Sequence, residues 1–123
     1  MEDFDVLVIG AGSGMIVASN AVARGLKTAL VESGPMGGTC LNRGCIPSKM
    51  LIYPADVIAT IREAQELGVT AVISWVDFKQ IMNRMHELVK EDSGNQARGV
   101  ETTPEITWFK DVGWFVSDYT MEV

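Results

Sequence analysis

Apolar side chains open the chain in a tight block, FDVLVIG at residues 4–10, rich in β-branched residues and closed by Gly10. That is the pattern of a strand buried on both faces. From Met15 to Arg24 the composition turns to Ala, Val, Met and Ile. This predicts a helix apolar on several sides, with Gly25 as its C-terminal stop. LKTALVES, residues 26–33, returns to the strand pattern. Strand, glycine turn, helix and strand predict a βαβ unit with parallel strands and a right-handed crossover.

The segment GPMGGTC, residues 34–40, reads as a loop. Leu51 to Gln65 predicts a helix bent near Pro54, which has no N–H to donate. ELGVTAVISW, residues 66–75, reads as a connection with weak strand character. Asp77 opens the next helix, with Gln80 three residues on as in a capping box. Phe78, Ile81, Met82, Met85, Leu88 and Val89 then keep helical spacing. The helix extends towards Val100, weakened at Ser93-Gly94-Asn95. The tail ITWFKDVGWFVSDYTMEV predicts two or three short strands. The fold class is α/β, and 123 residues suffice for one domain with a real core.

Hydrophobic residues make up 47% of the chain beside 12 glycines, which is high for this size. Such a chain has either a large core or apolar surface left for a partner. A net charge of −6 argues against nucleic acid and anionic membranes, both of which need clustered Lys and Arg. The acidic start MEDFDV lacks the basic region of a signal peptide, and the first apolar run is too short to span a bilayer. A reducing cytoplasm is therefore the expected compartment.

Gly10, Gly12, Ser13 and Gly14 stand between the first strand and the first helix, where a dinucleotide site needs them. Gly10 permits the sharp turn, Gly12 lets backbone approach a pyrophosphate, and the helix start offers free N–H groups to that anion. The last position of the GxGxxG pattern is Met15, which implies a wider helix–strand gap or an adjusted helix. Glu32 ends the second strand about 20 residues later, where a carboxylate can accept from a ribose. A bare tight turn with a solvated Glu32 is the competing reading, and the βαβ context favours the adenine-dinucleotide site.

Cys40 and Cys45 are the only cysteines, five positions apart in GTCLNRGCIPSK. Zinc would need four ligands, and His86 brings the available set only to three; His86 reads as an ordinary polar helix position. A static disulfide fits a reducing compartment poorly. A redox pair fits best, since its thiols must meet, bond and part again. On a regular helix, positions i and i+5 point about 140° apart. Gly44 gives the backbone freedom to bend, and Pro47 disfavours regular helix just before it. Arg43, Lys49 and a nearby helix N-terminus favour a thiolate, although a lone Arg more commonly points to solvent.

Residues 37–49, GGTCLNRGCIPSK, closely resemble the active-site segment of the FAD-dependent pyridine nucleotide–disulfide oxidoreductases. That family includes dihydrolipoamide dehydrogenases and glutathione, mycothione and mercuric reductases, and the likeness continues more weakly along the chain. The resemblance implies a Rossmann-like FAD-binding domain in which residues 1–123 form the N-terminal part. It implies that Cys40 is the interchange thiol facing substrate and that Cys45 faces the flavin as a charge-transfer thiolate. Lys49 would sit near the flavin N5 edge. Gly10, Gly12, Ser13, Gly14, Glu32 and Ser33 would hold the ADP half of FAD, with Gly38 and Thr39 lining the path to the flavin. Leu41, Ile46 and Ser48 resemble the dihydrolipoamide type, while Met15 and Met50 are similar to mycothione reductase-like members.

The resemblance further implies electron exchange among NAD(P)H, FAD, the Cys40–Cys45 disulfide and a small dithiol or disulfide, lipoamide-like by preference. The NAD(P)-binding and C-terminal dimerisation domains of such homodimeric enzymes have no counterpart in these 123 residues. The chain is therefore expected to be the N-terminal part of a larger oxidoreductase, inactive by itself. A stand-alone dithiol or nucleotide-binding module is the alternative.

Overall fold

The computed structural model describes residues 1–123. Three strands form a parallel sheet, β1 (Val6–Ile9), β2 (Thr28–Val31) and β3 (Ile106–Phe109), with β2 in the middle. Val6 to Ile9 pair in register with Thr28 to Val31, which in turn pair with Ile106 to Phe109. Every residue of β2 is buried, as expected of a strand paired on both sides. Helix α1 (Gly14–Val22) makes the crossover from β1 to β2, completing the expected βαβ unit. Its C-terminal turn closes through Gly25 at φ +72°, a conformation open to glycine.

The excursion from β2 to β3 carries three helices: α2 (Gly38–Arg43), α3 (Cys45–Glu63) and α4 (Phe78–Glu101). Helix α3 starts six residues earlier than the apolar pattern indicated and runs through Pro54 without interruption. Pro47 falls in its first turn, where a missing N–H costs no intrahelical bond, so helix precedes it after all. Asp77 caps α4, its Oδ1 accepting from the Gln80 N–H at 2.9 Å. Residues 93–95 do not break α4; Ser93 is buried and hydrogen-bonds to the backbone of another segment. The weak strand character expected over 66–75 is not realised: Ala64–Leu67 form a 3-10 turn, and the residues after it make no ladder and are mostly exposed. β-Branched residues become strand only where a partner edge accepts their backbone groups.

The tail does supply three strands, and they part company. β3 joins the parallel sheet, while β4 (Trp114–Ser117) and β5 (Thr120–Glu122) make an antiparallel hairpin. The core is small: Val8, Ala11, Ala18, Leu30, Met36 and Val100 cluster around the sheet, with Met15 and Trp108 packed against them. Apolar surface is correspondingly abundant, as on Ile16 and Val17 of α1 and Trp75. No helix is long and apolar enough to cross a membrane.

Met15 packs against the core cluster, and the helix starts with tightened bonds from the Met15 and Ile16 N–H groups to the Gly12 and Ser13 carbonyls, each at 3.1 Å. The close contact falls one residue earlier, where a Cβ on Gly14 would stand 2.8 Å from Val8 Cγ1. Gly14→Val should therefore cost about 1–3 kcal/mol in urea unfolding through overpacking. Gly99→Ala, in α4 with open space where the Cβ would go, should instead stabilise by about 0.5–1 kcal/mol. Equal effects from the two substitutions would contradict this packing.

Candidate active site

Gly10 turns the chain at the end of β1 with φ +88°, and its N–H donates to Val31 O at 2.8 Å. Ser13 caps α1 without a side-chain hydrogen bond, and no acidic residue stands in the first turn. No acidic side chain of α1 itself therefore stands at its positive end. Glu32 closes β2 and reaches back across the turn: Oε2 accepts from the Ala11 N–H at 2.8 Å and Oε1 from the Gly34 N–H at 2.6 Å. Its main chain is tied as well, its N–H to Phe109 O and its carbonyl to Trp108 Nε1, both at 3.1 Å. A carboxylate has about four acceptor positions, so two remain for ligand hydroxyls.

A polar pocket of about 260 Å3 opens beside this carboxylate. It brings Glu32, Ser33, Gly38 and Thr39 together with Asn42 and Arg43, and no hydrophobic side chain lines it. A larger recess of about 540 Å3 between Phe4, Leu7, Phe109 and the β4–β5 hairpin touches none of these residues.

The segment after the pocket is folded back onto the glycine turn. The Gly37 N–H donates to Ala11 O at 3.0 Å. Gly38 has φ +58°, and a Cβ there would lie 2.6 Å from Gly12 Cα. Two chain segments therefore touch backbone to backbone, an approach that requires glycine at position 38, whereas a Cβ on Gly12 would stand at an ordinary 3.7 Å from Gly38 Cα. Asn42, one turn into α2, donates its Nδ2 to the carbonyls of Met36 and Gly38, each at 2.9 Å. The sequence carried a signal for Asn42 that went unread: Asn inside a short helix is disfavoured unless its side chain bonds backbone.

Helix α2 breaks at Gly44, with φ −133° and ψ −118°. A Cβ at Gly44 would lie 2.9 Å from Thr39 O and 3.3 Å from Cys40 Cα. The chain can thus fold tightly over the first turn of α2 and begin α3 at Cys45. The break brings the two cysteines together; both are free and exposed. Their interaction is visible in the Cys40 thiol, held above its ordinary value. The neighbouring Cys45 side chain is the main cause, followed by partial loss of water and repulsion from a Cys45 thiolate. The Cys45 backbone N–H and the charge of Lys49 pull the other way and are outweighed. Lys49 is exposed on α3, and Arg43 ends α2 at the pocket. His86 is exposed on α4.

A backbone-to-backbone glycine cradle, a helix start whose N-cap makes no side-chain hydrogen bond and a polar pocket with a carboxylate fit an adenine dinucleotide. A thiol pair stands at the helix break that leads away from them. These features define a Rossmann-like FAD-binding domain carrying a dithiol. The family model for pyridine nucleotide-disulphide oxidoreductases matches residues 4–110, and the chain belongs to that family.

The chain is similar to dihydrolipoyl dehydrogenase of Chlamydia muridarum, with 39% identity over 123 residues, 99% of this chain and 26% of that protein. It is also similar to mycothione reductase of Mycobacterium tuberculosis, with 42% identity over 85 residues, 69% of this chain and 18% of that protein. Among solved structures, the Cu(II) complex of the HOCl-induced flavoprotein disulfide reductase RclA from Escherichia coli superposes with a TM-score of 0.75. That likeness has 25% identity and covers 98% of this chain and 24% of that one. The chain thus spans about a quarter of the length of the curated dehydrogenases it matches along its whole extent.

Because Cys45 favours the protonated form of Cys40, removing it should bring the Cys40 thiolate in at lower pH. In Cys45→Ala, the pH midpoint for alkylation of Cys40 by iodoacetamide should fall relative to the reduced wild type. An unchanged or higher midpoint would show that the thiols are not coupled.

Proposed function

We propose that this chain is the FAD-binding, dithiol-bearing part of a flavoprotein disulfide reductase acting on a small dithiol or disulfide. The observation that carries the reading is the Gly12–Gly38 contact, which joins the dinucleotide turn directly to the segment bearing Cys40 and Cys45. Similarity to dihydrolipoyl dehydrogenases along the full chain favours a lipoamide-like substrate. The mycothione reductase likeness, carried by about two thirds of the chain, supports the second reading.

In the proposed chemistry, Gly10, Gly12, Ser13 and Gly14 receive the pyrophosphate, and Glu32 and Ser33 receive the ribose. Gly38 and Thr39 line the way towards the redox pair. FAD, when bound, supplies a two-electron carrier between a nicotinamide and the dithiol. Cys40, exposed on α2, exchanges with the substrate disulfide, its thiolate attacking along the S–S axis. Cys45, at the start of α3, resolves the mixed disulfide and faces the flavin, with Lys49 supplying positive charge nearby. NAD(P) binding and assembly into a homodimer belong to polypeptide beyond these residues, and the setting is a reducing cytoplasm. The surplus apolar surface, such as Ile16 and Val17, agrees with a part that normally packs against more protein.

By itself the chain should bind FAD only weakly and should not turn over a disulfide. Purified 1–123 should reduce neither lipoamide nor another disulfide with NADH or NADPH; robust turnover would overturn the division of labour. With FAD loaded in the longer enzyme, Cys45→Ser should lose any long-wavelength thiolate–flavin band and keep the yellow colour. A band that persists would refute the flavin-facing role of Cys45.

A further inference from the structure

We propose that Asn42, braced by Ser93, is the positioning residue that holds Cys40 and Cys45 within reach of one another. The proposal rests on reading the two cysteines as a redox pair and assigns the task of aligning them.

Helix α2 has six residues, far below the length at which a helix is stable alone. It ends at a break, so its own ladder does not continue into α3. The Gly44 turn sets Cys45 beside Cys40, and what keeps the short α2 in place on that turn comes from outside its ladder. Asn42 lies between the cysteines in sequence, and its amide group spans the start of α2. Nδ2 donates at 2.9 Å to both Met36 O and Gly38 O, with a longer approach of 3.4 Å to Pro35 O.

Ser93 completes the device from the opposite side. It is one of two buried polar residues, 8% exposed, in the middle of a helix where a serine gains nothing by itself. Its Oγ donates to the same Met36 carbonyl at 2.7 Å, across 57 residues of chain. Met36 is 1% exposed and sits in the core cluster, so this carbonyl is a fixed point. The two hydrogen bonds tie the start of α2 to α4. Helix α3, which begins at Cys45, packs on both α2 and α4. Cys40 and Cys45 are thus held on two arms of one triangle whose closing tie is Ser93–Met36–Asn42.

The consequence can be read in thiol–disulfide exchange with glutathione. A thiolate of the pair attacks oxidised glutathione, forming a mixed disulfide and releasing one glutathione thiolate. The second cysteine then attacks the mixed disulfide, forming the Cys40–Cys45 bond and releasing the second glutathione. Two electrons pass to glutathione, and the two thiol protons pass to solvent or glutathione. The equilibrium constant measures how well the fold aligns the two sulfurs.

The experiment equilibrates the 123-residue chain in glutathione buffers, quenches with acid, and counts the internal disulfide by mass. Circular dichroism checks that each variant is folded. Asn42→Ala should lower the constant about fivefold or more, the equivalent of one lost hydrogen bond. It should also move the alkylation midpoint of Cys40 down, since Cys45 would no longer stand beside it. Asn42→Asp, of the same size but facing carbonyls with oxygens in place of donors, should lose at least as much. Ser93→Ala should lose about threefold, and Ser93→Thr, which keeps the hydroxyl, should restore the wild-type constant.

If Asn42→Ala and Asn42→Asp melt earlier yet keep both constant and midpoint, the residue is merely structural and the proposal fails. If the Asn42 variants do not fold, the Ser93 pair decides: equal constants for Ala and Thr overturn the proposal, and loss restored by Thr supports it. A wild-type chain that forms no internal disulfide at any glutathione ratio would refute the redox-pair reading itself, a result distinct from either.

Discussion

Gly12 and Gly38 stand so close that a single methyl group on the second would collide with the backbone of the first. Most of the site follows from that approach. The Gly37 N–H can reach Ala11 O only because no side chain intervenes, and Glu32 spans the same junction by holding the Ala11 and Gly34 N–H groups. One carboxylate therefore joins the turn after β1, the end of β2 and the loop before α2. The glycine turn after β1 and the thiol-bearing segment are joined through main chain. Small displacements of the glycine turn are consequently passed to the start of α2 with little slack, as expected of a contact without flexible side chains.

The second constraint is the break at Gly44. A continuous helix through residues 38–63 would carry Cys40 and Cys45 on different faces. Interrupting it for one residue, in a conformation that admits no Cβ, turns the same spacing into a pair whose thiols interact. The interaction raises the Cys40 thiol against the pull of Lys49, so the nearest neighbour outweighs the cation. The neighbouring thiol thus keeps Cys40 protonated to higher pH than an isolated cysteine.

Much of this could be read from the residues. The strand–glycine–helix–strand block is locally decided, because β-branched runs, glycine stops and an apolar helix each point to one element. The Asp77 cap was legible for the same reason. The misreadings fall where distant residues decide. Residues 69–75 have strand composition but no edge to pair with, and Ser93 looked like a helix breaker until its partner 57 residues away was in place. Met15 suggested a wider gap or an adjusted helix; the first bonds of α1 are tightened, and close packing against Val8 comes from Gly14 one position earlier. The thiol-bearing motif was recognisable as a whole, yet the helix at 38–43 was hidden by its glycines and the Asn42 tether by its ordinary composition.

The central claim is that one continuous backbone assembly receives the adenine half of FAD at the glycine turn and directs the flavin half towards the cysteines. An amide-resolved NMR titration of the reduced chain, with ADP and with FAD at millimolar concentration, tests it most directly. ADP should shift Gly12, Ser13, Gly14, Ser33 and Gly34 and leave Cys45 and Lys49 in place, while FAD should shift both sets. FAD shifts that spare the glycine turn, or ADP and FAD acting on the same residues with none near the cysteines, would contradict it.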